Sequence, residues 1–212
     1  MKKALILSIT MLVFLAMGVK AQYFVGGNLG LNSSGSSTTH GSTTYDDSKG
    51  FSLQINPKAG YFLTKKFALG LGLGIGTSRY STFADGANET INKTFTWEVA
   101  PFARFYFKKI GNFAFFGEGM LSFGNDKLVI EYPDSPDAEN KVFKISERIS
   151  PGFSYSLTDK IELEAFLGSI ASTTSIRKLP ETETDEDNKR ISSGFGLNFG
   201  LDNIYFGIIV KL

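Results

Sequence analysis

Hydrophobic and polar positions alternate with a period of two from Gln22 onward, and clusters of Gly, Asn, Asp and Ser interrupt the alternation at intervals. Period-two alternation is typical of antiparallel strands whose two faces meet different surroundings, whereas helical periodicity is hard to find. The pattern predicts eight strands, at residues 23–32, 51–63, 67–80, 93–107, 113–125, 141–157, 161–175 and 191–212.

The connections between these strands alternate in length. Residues 64–66, 108–112 and 158–160 form short turns, and residues 33–50, 81–92, 126–140 and 176–190 are long, polar and rich in Ser, Thr, Asp and Glu. Short turns at one end and long loops at the other are typical of transmembrane barrels, with periplasmic turns and extracellular loops. The pattern therefore favours an all-β fold, an eight-stranded antiparallel up-and-down barrel in a single domain.

Two features interrupt the regular pattern. In the last predicted strand the apolar residues change parity near Asp202 and Asn203, which indicates a β-bulge within one long strand or a tight turn that would add a ninth strand. We favour the bulge, since bacterial single-chain barrels have even strand numbers. Pro57, Pro101 and Pro151 each remove one backbone donor from the ladder, which predicts bulges or strand ends at these positions.

The two faces of the third strand indicate which solvent surrounds the barrel. One face carries large aliphatic residues, and the other is mostly glycine. A soluble barrel would point its large side chains inward, whereas a glycine face suits the inside of a narrow eight-stranded barrel. We therefore expect the apolar face to meet lipid, with an ordinary sandwich core as the alternative. The residues predicted to face lipid are Leu69, Leu71, Leu73, Ile75, Trp97 and Phe105.

The N-terminus has the features of a secretory signal peptide. Lys2 and Lys3 supply a positive region, residues 4–17 an apolar region, and residues 19–21 an A-x-A-like cleavage site. About 14 apolar residues are short of the roughly 20 that a membrane-spanning helix needs, so a retained helix is the less favoured interpretation. We predict that residues 1–21 are removed and that residues 22–212 form the barrel domain. Removal leaves 19 basic and 21 acidic residues, which changes the formal charge from +1 to −2.

Composition excludes several classes of protein. The chain has no Cys, which excludes a disulfide scaffold, Cys-ligated zinc and thiol catalysis. Basic and acidic residues are nearly balanced, at 22 and 21, which is not the charge of a nucleic-acid-binding protein. No long apolar run of helical length follows the predicted signal peptide, so membrane residence would require a closed barrel.

The ionisable residues on the inward-facing parity sum to zero charge. Because buried charges are tolerated only when they are paired, we predict that they form a lumen ion-pair network that fills the interior of a non-conducting barrel. A proton or ion relay through Glu162, Glu164 and Arg148 is the functional alternative. The predicted lumen residues are Lys58, Glu98, Arg104, Glu118, Lys144, Arg148, Glu162 and Glu164.

No motif for catalysis, metal binding or cofactor binding emerges. The single His, His40, lies in a Ser/Thr-rich tract whose low complexity provides no fixed geometry for nucleophilic catalysis. Residues 181–187 carry five carboxylates but lack the Gly and the spaced ligands of a calcium loop. A solvated acidic loop is favoured there over divalent bridging to lipopolysaccharide. We predict no catalytic residues, no cofactor and no metal.

Several segments resemble the outer-membrane protein β-barrel family, small porin-like proteins similar to OmpX and to the transmembrane domain of OmpA. They are residues 55–70 (INPKAGYFLTKKFALG), 149–163 (ISPGFSYSLTDKIEL), 195–200 (FGLNFG) and 205–212 (YFGIIVKL). The resemblance implies an outer-membrane barrel of a Gram-negative-type bacterium, which the barrel-assembly machinery recognises through the C-terminal strand. Many members end in Phe, whereas this chain ends in Leu212. The family shares no catalytic residues.

Together these observations predict a monomeric integral outer-membrane protein without catalysis. Its expected role at the cell envelope is structural, or consists of presenting surface loops to an unidentified external ligand. The expected partners are outer-membrane lipid, lipopolysaccharide and the assembly machinery, and no nucleic acid. A small pore or solute channel is the first alternative, and a lipid-modifying outer-membrane enzyme is the second.

Overall fold

The computed structural model describes residues 22–40, 43–84, 88–133, 135–178, 189–199 and 205–212. Residues 1–21, predicted to be a signal peptide, lie outside these ranges. The strand segments are β1 (Tyr23–His40), β2 (Thr43–Phe62), β3 (Phe67–Ala84), β4 (Asn88–Ile110), β5 (Phe113–Glu131), β6 (Ala138–Ser156), β7 (Ile161–Phe166), β8 (Ser169–Lys178), β9 (Lys189–Asn198) and β10 (Tyr205–Lys211).

Among the described residues, eight strands close into a ring. From β1 to β7 each segment pairs antiparallel with the next, β7 pairs with β10, and β10 returns to β1. Segments β7 and β8 lie along β6 and together form the seventh strand of the barrel. Segments β9 and β10 lie along that strand and form the eighth. The predicted eight-stranded antiparallel barrel is confirmed.

The outer surface of the barrel is apolar. On β3, Leu71, Leu73 and Ile75 keep 48%, 45% and 49% of their surface exposed, and Leu69 on the same face is half-buried. The inward-facing Ala68 is fully buried. On β4, Trp97 and Phe105 are 45% and 49% exposed. Large side chains therefore point outward around the ring, and the alternative of a sandwich core is wrong.

At the end with long connections, the strands extend further than the alternation predicted. The segments predicted to be loops at residues 33–50, 81–92 and 126–140 are largely paired hairpins. Polar side chains also pair across them, as in the hydrogen bond of 2.9 Å between the hydroxyls of Ser36 and Ser48. The predicted boundaries were too short because they depended on apolar alternation, whereas β-branched Thr also favours strands that have two polar faces.

The irregularity that the sequence placed in the last strand is shared between two strands. In the seventh strand, residues 167–169 face only two residues of β6, which is a one-residue bulge. Gly168 adopts a φ of +105° there, in a region that favours glycine. In the eighth strand, β9 and β10 are separated by six residues, 199–204. Their partner segments in the seventh strand, β8 and β7, are separated by only two residues. Asp202 and Asn203, where the sequence predicts the bulge, lie outside the described residues, and among the residues that the structure describes no ninth strand joins the ring.

The three prolines predicted to disturb the sheet lie where pairing is interrupted on one side. The β2–β3 ladder skips Pro57, and the β4–β5 ladder skips Pro101, without an extra residue on either strand. Pro151 lies opposite the bulge of the seventh strand. Each proline thus occupies a position where a backbone donor would lack a ladder partner.

The described residues close the ring at the end with the short turns. β10 pairs with β1 over four residues, Phe24 to Gly27, and the backbone there is so close that a Cβ on Gly26 would overlap the carbonyl of Ile208. Beyond Gly27, β1 pairs only with β2, and β9 pairs only with β8, within the part of the chain that the structure describes.

Leu71→Arg is expected to impair assembly in lipid, because Leu71 lies near the middle of the apolar face and an arginine at the bilayer midplane costs roughly 2–4 kcal/mol. The folded fraction is measured from heat-modifiable migration after refolding into lipid vesicles. Thr77→Arg is the matched control, since it lies on the same face beside the native Arg79, and near the interface the cost falls to about 0–1 kcal/mol. Wild-type folding of Leu71→Arg would contradict the outward orientation of this face.

Candidate functional site

The end of the barrel with the short turns is filled by aromatic side chains that pack on glycines. Phe24 and Phe102 are 1% and 3% exposed and belong to one apolar cluster inside the ring. A Cβ on Gly60 would lie 2.5 Å from Cζ of Phe24, and a Cβ on Gly70 would overlap the ring of Phe102. The inward-facing glycines therefore provide the space that neighbouring aromatic rings occupy.

A buried charged group, which we call the central network, lies beside these rings and consists of Lys58, Arg104, Glu118 and Glu164. Arg104 is fully buried and donates from Nε and Nη2 to Oε2 of Glu118, at 2.9 and 2.5 Å. The same Nη2 lies 2.9 Å from Oε2 of Glu164, a close ion pair without hydrogen-bond alignment, since this oxygen accepts no hydrogen bond. Nζ of Lys58 donates to the other oxygen of Glu164. Two cations and two carboxylates thus neutralise each other, as their burial requires.

Aromatic rings cover the cations of the central network. The guanidinium carbon of Arg104 lies 4.0 Å from the ring centroid of Phe116, and Nζ of Lys58 lies 5.1 Å from that of Phe166. The hydroxyl of Tyr106 accepts a hydrogen bond of 3.2 Å from Nη1 of Arg104. Cation–π contacts gain strength in such desolvated surroundings. The network and its rings together occlude the barrel at this level.

A second ion pair attaches the closing strand to the seventh strand. Lys211 donates to Oε1 of Glu162, which also accepts a hydrogen bond of 3.1 Å from the hydroxyl of Ser156. Nζ of Lys211 lies 5.9 Å from the ring centroid of Phe62. Lys211 therefore points into the barrel, and the next-to-last residue of the chain contributes to the filled end.

The remaining predicted lumen residues lie toward the end with the long hairpins. Lys144 forms an ion pair with Asp126, and Asp126 accepts a hydrogen bond of 2.9 Å from Thr96. Glu98 is half-buried and Arg148 is exposed, and in the described part of the chain neither makes an ion pair or a side-chain hydrogen bond. The eight predicted residues thus do not form one network. Four of them form the central network, one belongs to each of two separate ion pairs, and two are unpaired within the described chain.

The relay proposed through Glu162, Glu164 and Arg148 has no continuous chain of contacts. Glu162 pairs with Lys211, whereas Glu164 pairs with cations of the central network. Arg148 contacts neither carboxylate among the described interactions. The three side chains therefore do not form one hydrogen-bonded path.

Sequence reasoning missed two of the charged residues that line the interior. Asp126 was assigned to a loop because the predicted strand ended at Asn125, whereas β5 continues to Glu131. Lys211 lies in an apolar closing strand, but it shares its parity with Ile209, which is 1% exposed. That shared parity is the signal that identifies Lys211 as an inward-facing residue.

The barrel contains a cavity of about 480 Å³ beside the central network. Lys58 and Glu118 of the network lie at its floor, and inward-facing residues such as Gln54 and Arg148 stay exposed to solvent around it. The barrel is therefore shaped like a cup, filled at the end with short turns and hollow toward the hairpins. Residues of β1, of the seventh strand and of β10 also line the cavity, among them Asn28, Leu29, Leu31, Gly168, Ser169 and Phe206.

No group of three or more His, Asp or Glu side chains within the described ranges is arranged to hold a metal ion. None of the described residues forms a helix long and apolar enough to cross a membrane. The side chain of His40 and the acidic segment at residues 181–187 lie outside the described residues, so the interpretations given for them stay predictions.

Comparison with known proteins gives distant likenesses. Neither a protein-family model nor a curated relative matches the sequence. Among solved structures, the chain is similar to Neisserial surface protein A (NspA), at 16% identity over 92% of this chain and 100% of that one, with a TM-score of 0.41. It is also similar to a major outer membrane protein from Thermus thermophilus, at 12% identity over 92% and 100% of the two chains, with a TM-score of 0.49. The fold assignment rests on the strand pairing within this chain.

Glu164→Gln is expected to lower the free energy of unfolding by about 3–5 kcal/mol, because removing one partner leaves buried charge uncompensated. Lys58 and Arg104 would then share Glu118 as the one carboxylate of the central network. The urea midpoint of the heat-modifiable band measures the change.

Glu139→Gln is the control for this variant, since Glu139 pairs with Lys127 at 2.9 Å on an exposed hairpin. Its midpoint should equal that of the wild type, because exposed ion pairs contribute little. If the two variants have the same midpoint, the central network does not stabilise the barrel as described.

Proposed function

We propose that the protein is an integral barrel of the bacterial outer membrane that does not conduct ions and has a structural or interaction role at the cell envelope. The observation that carries this proposal is the combination of an apolar exterior with a neutralised, buried central network across the lumen. In this arrangement the barrel wall meets lipid, and the interior stabilises the wall without providing a passage.

The outer surface supports a membrane location. Every strand of the ring contributes a large apolar side chain that is at least one third exposed. A soluble monomer rarely exposes contiguous apolar patches larger than a few hundred Å², whereas a closed barrel in lipid requires such a surface. One such residue from each strand of the ring is Leu29, Ile55, Leu73, Trp97, Phe123, Ile149, Leu163 and Ile208.

The interior supports a closed barrel. The four members of the central network come from β2, β4, β5 and β7, so their contacts cross the lumen from several sides. The cavity extends only through the half of the barrel toward the hairpins, because the central network forms its floor. It therefore provides the small-pore alternative with half of a passage and no exit. A pore would require the network and the aromatic cluster to move together.

The paired hairpins support a role in presenting a surface. Lys93 pairs with Glu131 between β4 and β5, and Lys127 and Lys141 lie 2.9 and 3.4 Å from Glu139. The pairs of Lys93 and Lys127 join neighbouring strands, and that of Lys141 lies within β6. These ion pairs favour ordered polar hairpins beyond the apolar belt, to which lipopolysaccharide or an external ligand could bind. We propose that the protein acts as a monomer and is inserted by the barrel-assembly machinery.

The protein is expected to remain in the sarkosyl-insoluble outer membrane and, once purified, to stay silent in planar bilayers. Closure by the central network and the aromatic cluster is the reason for the second expectation. A control recording with an open porin in the same bilayers shows that insertion would be detected. Stable conductance on the scale of an open pore would favour the channel alternative, and extraction by sarkosyl would contradict the outer-membrane location.

Overexpression is expected to leave the mass of lipid A unchanged, since we propose that the barrel has no catalytic activity. Mass spectrometry of lipid A from cells with and without the protein measures this directly. An altered mass that disappears in a His40→Ala variant would establish the lipid-modifying alternative.

A further inference from the structure

We propose that the end of the barrel with the short turns binds the phosphate groups of anionic phospholipids through five lysines, which we call the basic rim. The inference rests on the proposed function, because these lysines reach lipid head groups only if the barrel lies in a membrane. Three observations carry it: the charge of the turns, their fixed backbone and the aromatic side chains beside them. The basic rim consists of Lys65, Lys66, Lys108, Lys109 and Lys160.

The short turns carry an excess of positive charge. They contain the five lysines of the basic rim and one acidic residue, Asp159. The five lysines are exposed, and within the described ranges none of them makes an ion pair. At the opposite end of the barrel, by contrast, Lys93 and Lys127 pair with carboxylates of neighbouring strands. The ammonium groups of the basic rim are therefore available to an external anion.

Hydrogen bonds fix the backbone of the two turns that contain Lys66 and Lys160. The hydroxyl of Thr64 accepts hydrogen bonds from the backbone nitrogen of Lys66, at 3.2 Å, and from that of the next residue, at 3.0 Å. The hydroxyl of Thr158 makes the same two contacts with Lys160 and the residue after it, at 3.2 and 3.0 Å. The two lysines thus occupy equivalent positions in two similar turns. Because this backbone is already ordered, binding there costs less conformational freedom.

Each short turn is also attached to the next strand of the ring. The carbonyl of Lys66 accepts a hydrogen bond of 2.7 Å from the backbone of Tyr106 on β4, and that of Asn112 accepts one of 2.9 Å from Ser156 on β6. The carbonyl of Lys160 accepts a hydrogen bond of 2.7 Å from the backbone of β10. The turns are therefore held against the barrel wall, beside its apolar outer face.

Aromatic side chains on the outer face place the basic rim at the level of lipid head groups. Phe107, which precedes Lys108, is 57% exposed, and Tyr23 at the start of β1 is 60% exposed. The ring centroids of Phe113 and Tyr155 lie 4.8 Å apart on the same face. Such aromatic belts lie at the membrane interface, and a lysine extends its ammonium group from apolar surface to the charged layer. Clusters of lysines at this level attract anionic lipids.

The test uses residues 22–212 inserted in phosphatidylcholine nanodiscs that contain a small fraction of phosphatidylglycerol with a diazirine near its glycerol backbone. Phosphatidylcholine carrying the same diazirine is the reference lipid, since its head group has no net charge. After irradiation, mass spectrometry should find roughly tenfold more label from phosphatidylglycerol than from the reference lipid at residues 64–67, 107–113 and 157–161. Equal labelling of these residues by the two lipids would overturn the proposal.

Replacing all five lysines of the basic rim with Gln should reduce the labelling by phosphatidylglycerol to that of the reference lipid. The double variant Lys66→Gln, Lys160→Gln should lose part of the excess and keep both turns, because the hydrogen bonds of the turns use backbone groups of these residues. The matched control changes the net charge equally at the end with the hairpins, and it should label the basic rim as the wild type does. The control substitutions are Lys49→Gln, Arg79→Gln, Lys127→Gln, Lys141→Gln and Lys178→Gln.

Two further conditions identify the source of the phosphate and the nature of the contact. Glycerol phosphate at the concentration of the labelled lipid should leave the labelling unchanged, because it is not held at the membrane surface. Competition by glycerol phosphate would assign the basic rim to soluble phosphate compounds and overturn the proposal. The excess labelling should disappear at about 1 M salt, where the Debye length is about 3 Å, and its persistence would contradict attraction by charge.

Each variant is first tested for heat-modifiable insertion into the nanodiscs. If the wild type does not insert, the proposed outer-membrane function fails. If the wild type inserts and the variant without the five lysines labels as the wild type does, the basic rim does not bind lipid, while the proposed function stands. If that variant instead loses binding to isolated peptidoglycan and keeps its lipid labelling, the basic rim binds an anionic glycan, and the proposal is overturned.

Discussion

Backbone closure is the constraint on which the rest of this structure depends. In hydrocarbon, every backbone donor and acceptor needs a protein partner or a hydrated cavity, so a sheet exists there only as a ring. Among the described residues, the first and last strands of the ring pair over Phe24 to Gly27. The aromatic cluster and the pair between Lys211 and Glu162 lie near this contact. The filled part of the interior therefore lies beside the short β1–β10 ladder that closes the ring.

The interior of a narrow barrel has to be filled, and this chain does so with three kinds of residue that depend on one another. Glycines on one strand make room for rings from the next, as at Gly60 and Phe24. The rings then cover cations, as Phe116 covers Arg104. The cations neutralise carboxylates that would otherwise be too costly to bury. Replacing any one kind would leave the other two without their packing or their charge balance.

Most of the fold follows from local sequence, because a strand whose two faces meet different surroundings shows this difference in its own residues. The alternation of Leu and Gly on β3 predicted both the strand and its orientation. What the alternation could not predict depends on pairing between distant residues. The bulge at Gly168 follows from the register against β6, and the choice of Glu162 as the partner of Lys211 follows from the position of the eighth strand beside the seventh. The polar hairpins were missed because their faces do not differ, so no period marks them. For the interior, the balance of charges predicted that ionisable residues would pair with one another. Which residue pairs with which depends on the three-dimensional arrangement of the strands.

The two halves of the barrel solve the same electrostatic problem in different ways. At the filled end, charges are paired and covered, so they stabilise the ring and exclude solvent. Toward the hairpins, Arg148 and Glu98 line a cavity that is open to solvent, so their charges do not need to be neutralised by a partner. The central network is therefore needed only at one level, because a filled floor closes the barrel there whatever the half above it contains.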